Sequence, residues 1–334
     1  MADQNNKPRQ LTYVMAINEA IRTVMQEQPN AFAAGEDIGG AGGVYGYYNG
    51  IQEQFGTDRV YDTPISEKGI VGLGVGAAAT GCRPILDLMF IDFMGECMDE
   101  VANQLAKMRY MFGGSATLPV TLLTMAGAGA SLAAQHSQSL EAWLCHLPGL
   151  KVVMAATPAD AKGLIIAAAR DDNPVIVIMM KTLLALNGEV PEDSYATPIG
   201  KANIVRPGEN YTIVTWGRMV HEAITAAEQL ARSGLDAEVI DARSLQPFDT
   251  ETVIASVRKT HRAMVAHEAV RYGGLGGEVA AQIQELAFDD LDAPVARVGA
   301  PFAPVPFSPV LESAYVPNAE TIVAEVRSQL RIEG

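Results

Sequence analysis

One carboxylate and one imidazole stand out as groups that could do chemistry. Glu67 sits in DTPISEKGIVGLGVGAAATG, residues 62–81, before a helical stretch made almost wholly of Gly, Ala and Val. Loop carboxylates are usually solvated. The small residues beyond this one, however, admit close approach of a backbone or a flat ligand. A carboxyl buried there needs a partner, or its pKa rises. His136 lies in AAQHSQSL, after the flexible run MAGAGAS. Histidine titrates near neutral pH, and ligands of α/β folds collect where parallel strands end. A lone loop histidine is also commonly structural, so position alone leaves both readings open.

Other chemistries find little support. GGLGGE, residues 273–278, follows a strand and precedes a helix, but the GxGxxG register fails. A tight strand–helix turn explains its glycines better. There is no P-loop, no HExxH and no paired His/Cys ligand set, so a transition-metal site is not indicated. Cys82, Cys97 and Cys145 have no CxxC spacing and read as buried free thiols of a reducing, cytoplasmic protein. A net charge of −15 argues against nucleic acid and anionic membranes as partners. No apolar run reaches the roughly 18 residues of a membrane span. The start, MADQNNKPRQ, lacks the apolar core of a signal peptide.

The elements that must position these groups alternate. Residues 11–27 carry apolar side chains at helical spacing, and AFAAGEDI reads as a strand. A Gly- and Tyr-rich loop follows, too flexible to be an element. Strands are predicted at 84–88, 119–125, 151–156 and 174–180, with helices at 69–80, 93–109, 138–146 and 158–170. Apolar strands joined by helices indicate a parallel sheet covered on both faces. NGEVPEDSYATP, residues 187–198, breaks the pattern. Strands at 211–216, 236–241 and 262–267 then alternate with helices at 219–233, 249–258 and 276–287, and a last helix spans 319–331. The 334 residues thus divide into α/β domains over 1–195 and 196–334.

The motifs DTPISEKG, AKMRYMFGG (106–114), AQHSQSLEAW (134–143), PGLKVV (148–153), AKGLIIAAARDDNPV (161–175) and APVPFSPVLE (303–312) occur in that order. From about residue 10 to about 330 the chain resembles the β subunit of the E1 component of thiamine-diphosphate-dependent 2-oxo acid and acetoin dehydrogenase complexes. GEVPED, FSPVLES and VPNAETIV are most similar to the acetoin branch. The resemblance implies a pyrimidine-binding thiamine-diphosphate fold followed by a transketolase C-terminal-like domain, its clearest motif being VIDARSLQPFD (239–249). It also implies an α₂β₂ assembly whose α chain carries a GDG motif for Mg²⁺ and diphosphate. This chain has no GDG. The E2 lipoyl acyltransferase is the further expected partner.

By the same resemblance, Glu67 meets N1′ of the aminopyrimidine and His136 faces the reacting carbon. Met89 and Phe93 lie against the ring, and Glu36 and Glu96 form a proton relay between active sites. A K⁺ would sit on backbone carbonyls of Ala168, Asp171 and Asn173. The implied reaction cleaves acetoin and passes the two-carbon unit to a lipoyl group. The alternatives are a pyruvate or other 2-oxo acid E1 β subunit and, from a different class, a non-catalytic assembly subunit. Departures exist. Asp87 stands where relatives generally carry Glu, Leu123 and Ser131 where acetoin-type relatives can carry Arg, and MMKTLLAL differs from the usual acidic/aromatic segment. Lost arginines remove bidentate donors from a substrate pocket.

Overall fold

The computed structural model describes residues 8–331. The start MADQNNK, part of the stretch read for a signal peptide, lies outside the described residues. A seven-stranded sheet runs in the order Ser244–Gln246, Lys151–Met154, Val175–Met180, Thr121–Ala126, Arg83–Phe90, Ala31–Gly35, Val60–Asp62. All its pairs are parallel except the antiparallel edge strand Ser244–Gln246. A five-stranded sheet runs Ala296–Ala300, Ala263–Val270, Tyr211–Thr215, Ala237–Asp241, Asn203–Arg206, with only the last strand antiparallel. Gln10–Thr12 and Asn187–Glu189 form a small antiparallel pair. No described helix is long and apolar enough to cross a membrane.

The central strands are buried on both faces, which is why they are apolar throughout. Helix Tyr13–Glu27 starts where the Thr12 hydroxyl accepts from the Met15 amide, and it packs on helix Pro158–Arg170. Helix Glu67–Ala79 lays Ile70, Val71, Gly74, Val75 and Ala78 on the sheet. A Cβ on Gly74 would stand 2.4 Å from Leu86, so this glycine permits close packing. A Cβ on Gly76 would meet nothing within 4 Å, leaving the outer face open. GGLGGE is a packed turn: a Cβ on Gly276 would stand 2.4 Å from the ring of buried His267.

Three expectations need correction. The helix predicted over 93–109 is broken into a 3₁₀ segment Ile91–Cys97, a π segment Glu100–Leu105 and one turn Met108–Met111. Its buried residues Ile91, Met94 and Cys97 recur every third position, as a 3₁₀ helix requires, whereas Val101 and Leu105 are four apart. The helix predicted over 138–146 is only Glu141–Cys145, because the preceding residues are committed to the His136 turn. Of the three free cysteines only Cys97 is fully buried; Cys82 and Cys145 are half-buried.

Gly35 pairs with Asp87, and a Cβ there would lie 2.8 Å from Asp87 Cβ and 2.9 Å from its carbonyl oxygen. Two backbones meet here with no side chain able to yield. Gly35→Ala should therefore cost on the order of 1–3 kcal/mol of stability, measured by chemical denaturation. An unchanged midpoint would show that the strands separate freely at this point.

Candidate active site

The site begins with two carboxyls on adjacent elements. Glu36 directly follows strand Ala31–Gly35, and Glu67 is the first residue of helix Glu67–Ala79. Both are half-buried. Burial, and then the charge of Glu67, raise the Glu36 carboxyl above the ordinary carboxylate range; the Ser66 amide partly opposes this.

The next wall is the end of strand Arg83–Phe90. The register against Thr121–Ala126 shifts between Asp87 and Phe90. Within that bulge Met89 has φ +51°, a left-handed conformation that costs a non-glycine residue about 1–3 kcal/mol. Phe90 and Phe93 both stand edge-on to the His136 ring, with centroids 5.1 and 5.4 Å away. The structure thus brings His136, Phe93 and the Met89 bulge together, and separately pairs Glu36 with Glu67. Cys97 links the two groups. Its thiol is pushed up to about 12 by burial and then by the charges of Glu67, Glu100 and Glu96, and it also points at the Phe93 carbonyl.

Glu96 itself is exposed, whereas Glu100, on the same side, is half-buried and 3.6 Å from Lys68. At the Asp171 loop, Arg83 donates to the carbonyls of Ala169 and Asp171, and the Ala168 carbonyl accepts from the Asp171 amide. The Asp171 carboxylate is held by Lys151 and the Asn173 side chain. Leu123 is wholly buried, and the Ser131 hydroxyl donates to Glu312.

Sequence reasoning missed three groups. Lys181 is buried, donates to the His136 carbonyl and lies 4.9 Å from the Phe90 centroid. Burial lowers its amine to about 8, against the opposing charges of Asp92, Glu268 and Glu312. Glu268 accepts from the Ala128 amide at 2.6 Å, and Glu312 accepts from the amides of Gly129 and Ser131 at 2.7 and 3.0 Å. These two carboxylates, from the second sheet and a late helix, tie down the strained run Ser131–Ala133 that precedes His136. A cavity of about 460 Å³ adjoins this loop, lined by Ala134, Ser137 and Leu140 and by Phe302 and Tyr315. Glu67 and Met89 do not line it.

Burial pushes the Glu268 carboxyl up from 4.5 to about 7, although Arg218 and the Ala128 amide pull it down. Its stabilising contribution is full below pH 4.5 and is lost as pH rises through about 7. Thermal unfolding of wild type should therefore lose ground to Glu268→Gln across that window. A difference that stays flat with pH would contradict this assignment.

Comparison with known proteins follows this geometry. Residues 9–187 match the transketolase pyrimidine-binding domain and residues 200–322 the transketolase C-terminal domain. A subunit named acetoin:2,6-dichlorophenolindophenol oxidoreductase subunit beta from Cupriavidus necator is 49% identical, covering 97% of this chain and 98% of its own. The subunit of the same name from Bacillus subtilis is 46% identical over 92% and 94%. The pyruvate dehydrogenase E1 component subunit beta of Bacillus subtilis is 43% identical over 96% and 99%. A solved structure described as a split-gene transketolase, inactive beta4 tetramer, superposes with TM-score 0.78 at 23% identity, covering 97% of this chain and 100% of that one, and shares the fold. A two-domain match and near-half identity along the whole length place the chain: it belongs to the transketolase-like family of E1 β subunits of thiamine-diphosphate-dependent dehydrogenases.

Proposed function

We propose that this chain is the β half of a cytoplasmic E1 enzyme that cleaves acetoin and hands the two-carbon unit to a lipoyl group of an E2 partner. The domain boundary falls near residue 195. The observation that carries the site is the coupled pair Glu36–Glu67 beside the open face of a small-residue helix. The substrate rests on the two acetoin-named relatives at 49% and 46% identity. The pyruvate-named relative at 43% keeps a 2-oxo acid substrate as the second reading.

The residues present fit an aminopyrimidine ring. The pair offers a carboxyl that can share a proton, and Met89 and Phe93 offer a polarisable and an aromatic wall. When bound, thiamine diphosphate supplies the carbon nucleophile and electron sink for breaking a bond beside a carbonyl. Glu67 holds a proton at ring nitrogen N1′. The charge of Glu67 in turn raises the Glu36 carboxyl beside it. His136, held edge-on to two phenylalanines and at its own carbonyl by Lys181, faces the reacting carbon and gives a proton to the lipoyl sulfur. Glu96, with Glu100 beside it, extends the Glu36–Glu67 pair toward a second site in an α₂β₂ assembly. Mg²⁺ and the diphosphate belong to the α subunit. A K⁺ on Ala168, Asp171 and Asn173 would use the second lone pair of carbonyls that already accept hydrogen bonds at two of these positions.

The reconstituted αβ complex should consume acetoin with dichlorophenolindophenol as acceptor, and this chain alone should not. Preferential consumption of pyruvate would favour the second reading, and turnover without an α chain would refute the split site. Glu67→Gln should slow exchange of the bound cofactor's C2 proton by about 10²–10⁴-fold. A rate close to wild type would remove Glu67 from the mechanism. His136→Ala should slow transfer to a lipoyl domain more than transfer to the dye, because the opening dithiolane takes its proton from His136 whereas the dye takes its protons from solvent. Equal losses in both assays would move His136 to an earlier step.

A further inference from the structure

Asp87 is the buried group that this mechanism leaves unused. It lies within strand Arg83–Phe90, 4% exposed. One carboxylate oxygen accepts from the Met89 amide at 2.7 Å, and the other accepts from the Tyr47 hydroxyl at 2.6 Å. Gly35 abuts its Cβ on the other side, leaving no room to move. The first bond spans two residues, the reach by which a short aspartate closes a turn on its own backbone. The turn it closes is the bulge where Met89 takes φ +51°. Methionine does not enter that conformation unaided, so something local must hold it there.

We infer that Asp87 is a positioning residue that locks Met89 into its left-handed bulge and so fixes the Met89 side chain against the cofactor. Tyr47 completes the lock. Its loop, GGVYGYYNG, is pinned in turn by Asn18, which donates to the Tyr47 carbonyl at 2.9 Å. The Gly- and Tyr-rich stretch thereby reaches the site through one hydroxyl. Aspartate suits this task because its carboxylate meets an amide only two residues ahead. The inference rests on the reading that Met89 faces the cofactor.

The test is a double-mutant cycle in the αβ complex, read by calorimetric binding of thiamine diphosphate. Asp87→Ala should weaken binding at least about tenfold, and Asp87→Asn, whose side-chain carbonyl still accepts from the Met89 amide, should stay within about threefold of wild type. In a Met89→Gly background, where the side chain to be held is gone, Asp87→Ala should add less than about twofold. Full additivity, or wild-type binding by Asp87→Ala, overturns the inference. If Asp87→Ala fails to assemble, the Asp87→Asn result decides, and a tenfold loss there counts against the lock. The methyl carbon resonance of Met89 without cofactor separates the two readings. A shift on Asp87→Ala supports the lock even if Met89→Gly binds normally, an outcome that would refute the cofactor-facing reading alone. No shift refutes the lock itself.

Discussion

The site depends on one electrostatic constraint: Glu36 and Glu67 are held close enough that the charge of Glu67, added to partial burial, raises the Glu36 carboxyl. Neither carboxyl could be kept there by its own neighbourhood. Glu36 is fixed by the end of a central strand and Glu67 by the start of a helix, and the sheet and its covering helix must both form for the pair to exist. Removal of Gly74's packing against Leu86 would lift the helix; separation of Gly35 from Asp87 would shift the strand. The apolar strands and small-residue contacts are therefore the means by which two like charges are made neighbours. An unpaired buried charge is otherwise expelled or neutralised.

The same logic runs through the second half of the molecule. Its sheet contributes no residue to the carboxyl pair. Instead Glu268 and Glu312 reach across to the amides of residues 128–131, while Lys181, from the first half, reaches the carbonyl of His136. A histidine on a loop with two left-handed non-glycine residues is thus held by backbone bonds from both sides. The edge strand Ser244–Gln246, which joins the first sheet although it lies far along the chain, ties the halves together in a second place.

Much of this was legible in the sequence, and the reasons for the rest are physical. Apolar runs of strand length declared the central sheet, and Glu67 and His136 stood out through their contrast with the small residues around them. The broken helix over 91–111 was not legible, because spacings of three and four differ little along a line but decide between helix types once packed. Asp87 was read only as a departure, since its partners Tyr47 and Met89 meet it through a loop turn and a bulge that no periodicity marks. Lys181, Glu268 and Glu312 were missed because their partners lie 45, 140 and 183 residues away. Glu96, read as a relay group, lies exposed on this chain, with half-buried Glu100 four residues on.

The measurement that tests the central claim most directly is a structure of the assembled αβ complex with thiamine diphosphate bound. The account predicts the Glu67 carboxyl at about 2.6–3.2 Å from N1′ of the aminopyrimidine, with Glu36 next to it and Met89 and Phe93 against the ring. A ring bound elsewhere, or one whose N1′ meets water or an α-chain group while Glu67 points away, would contradict it.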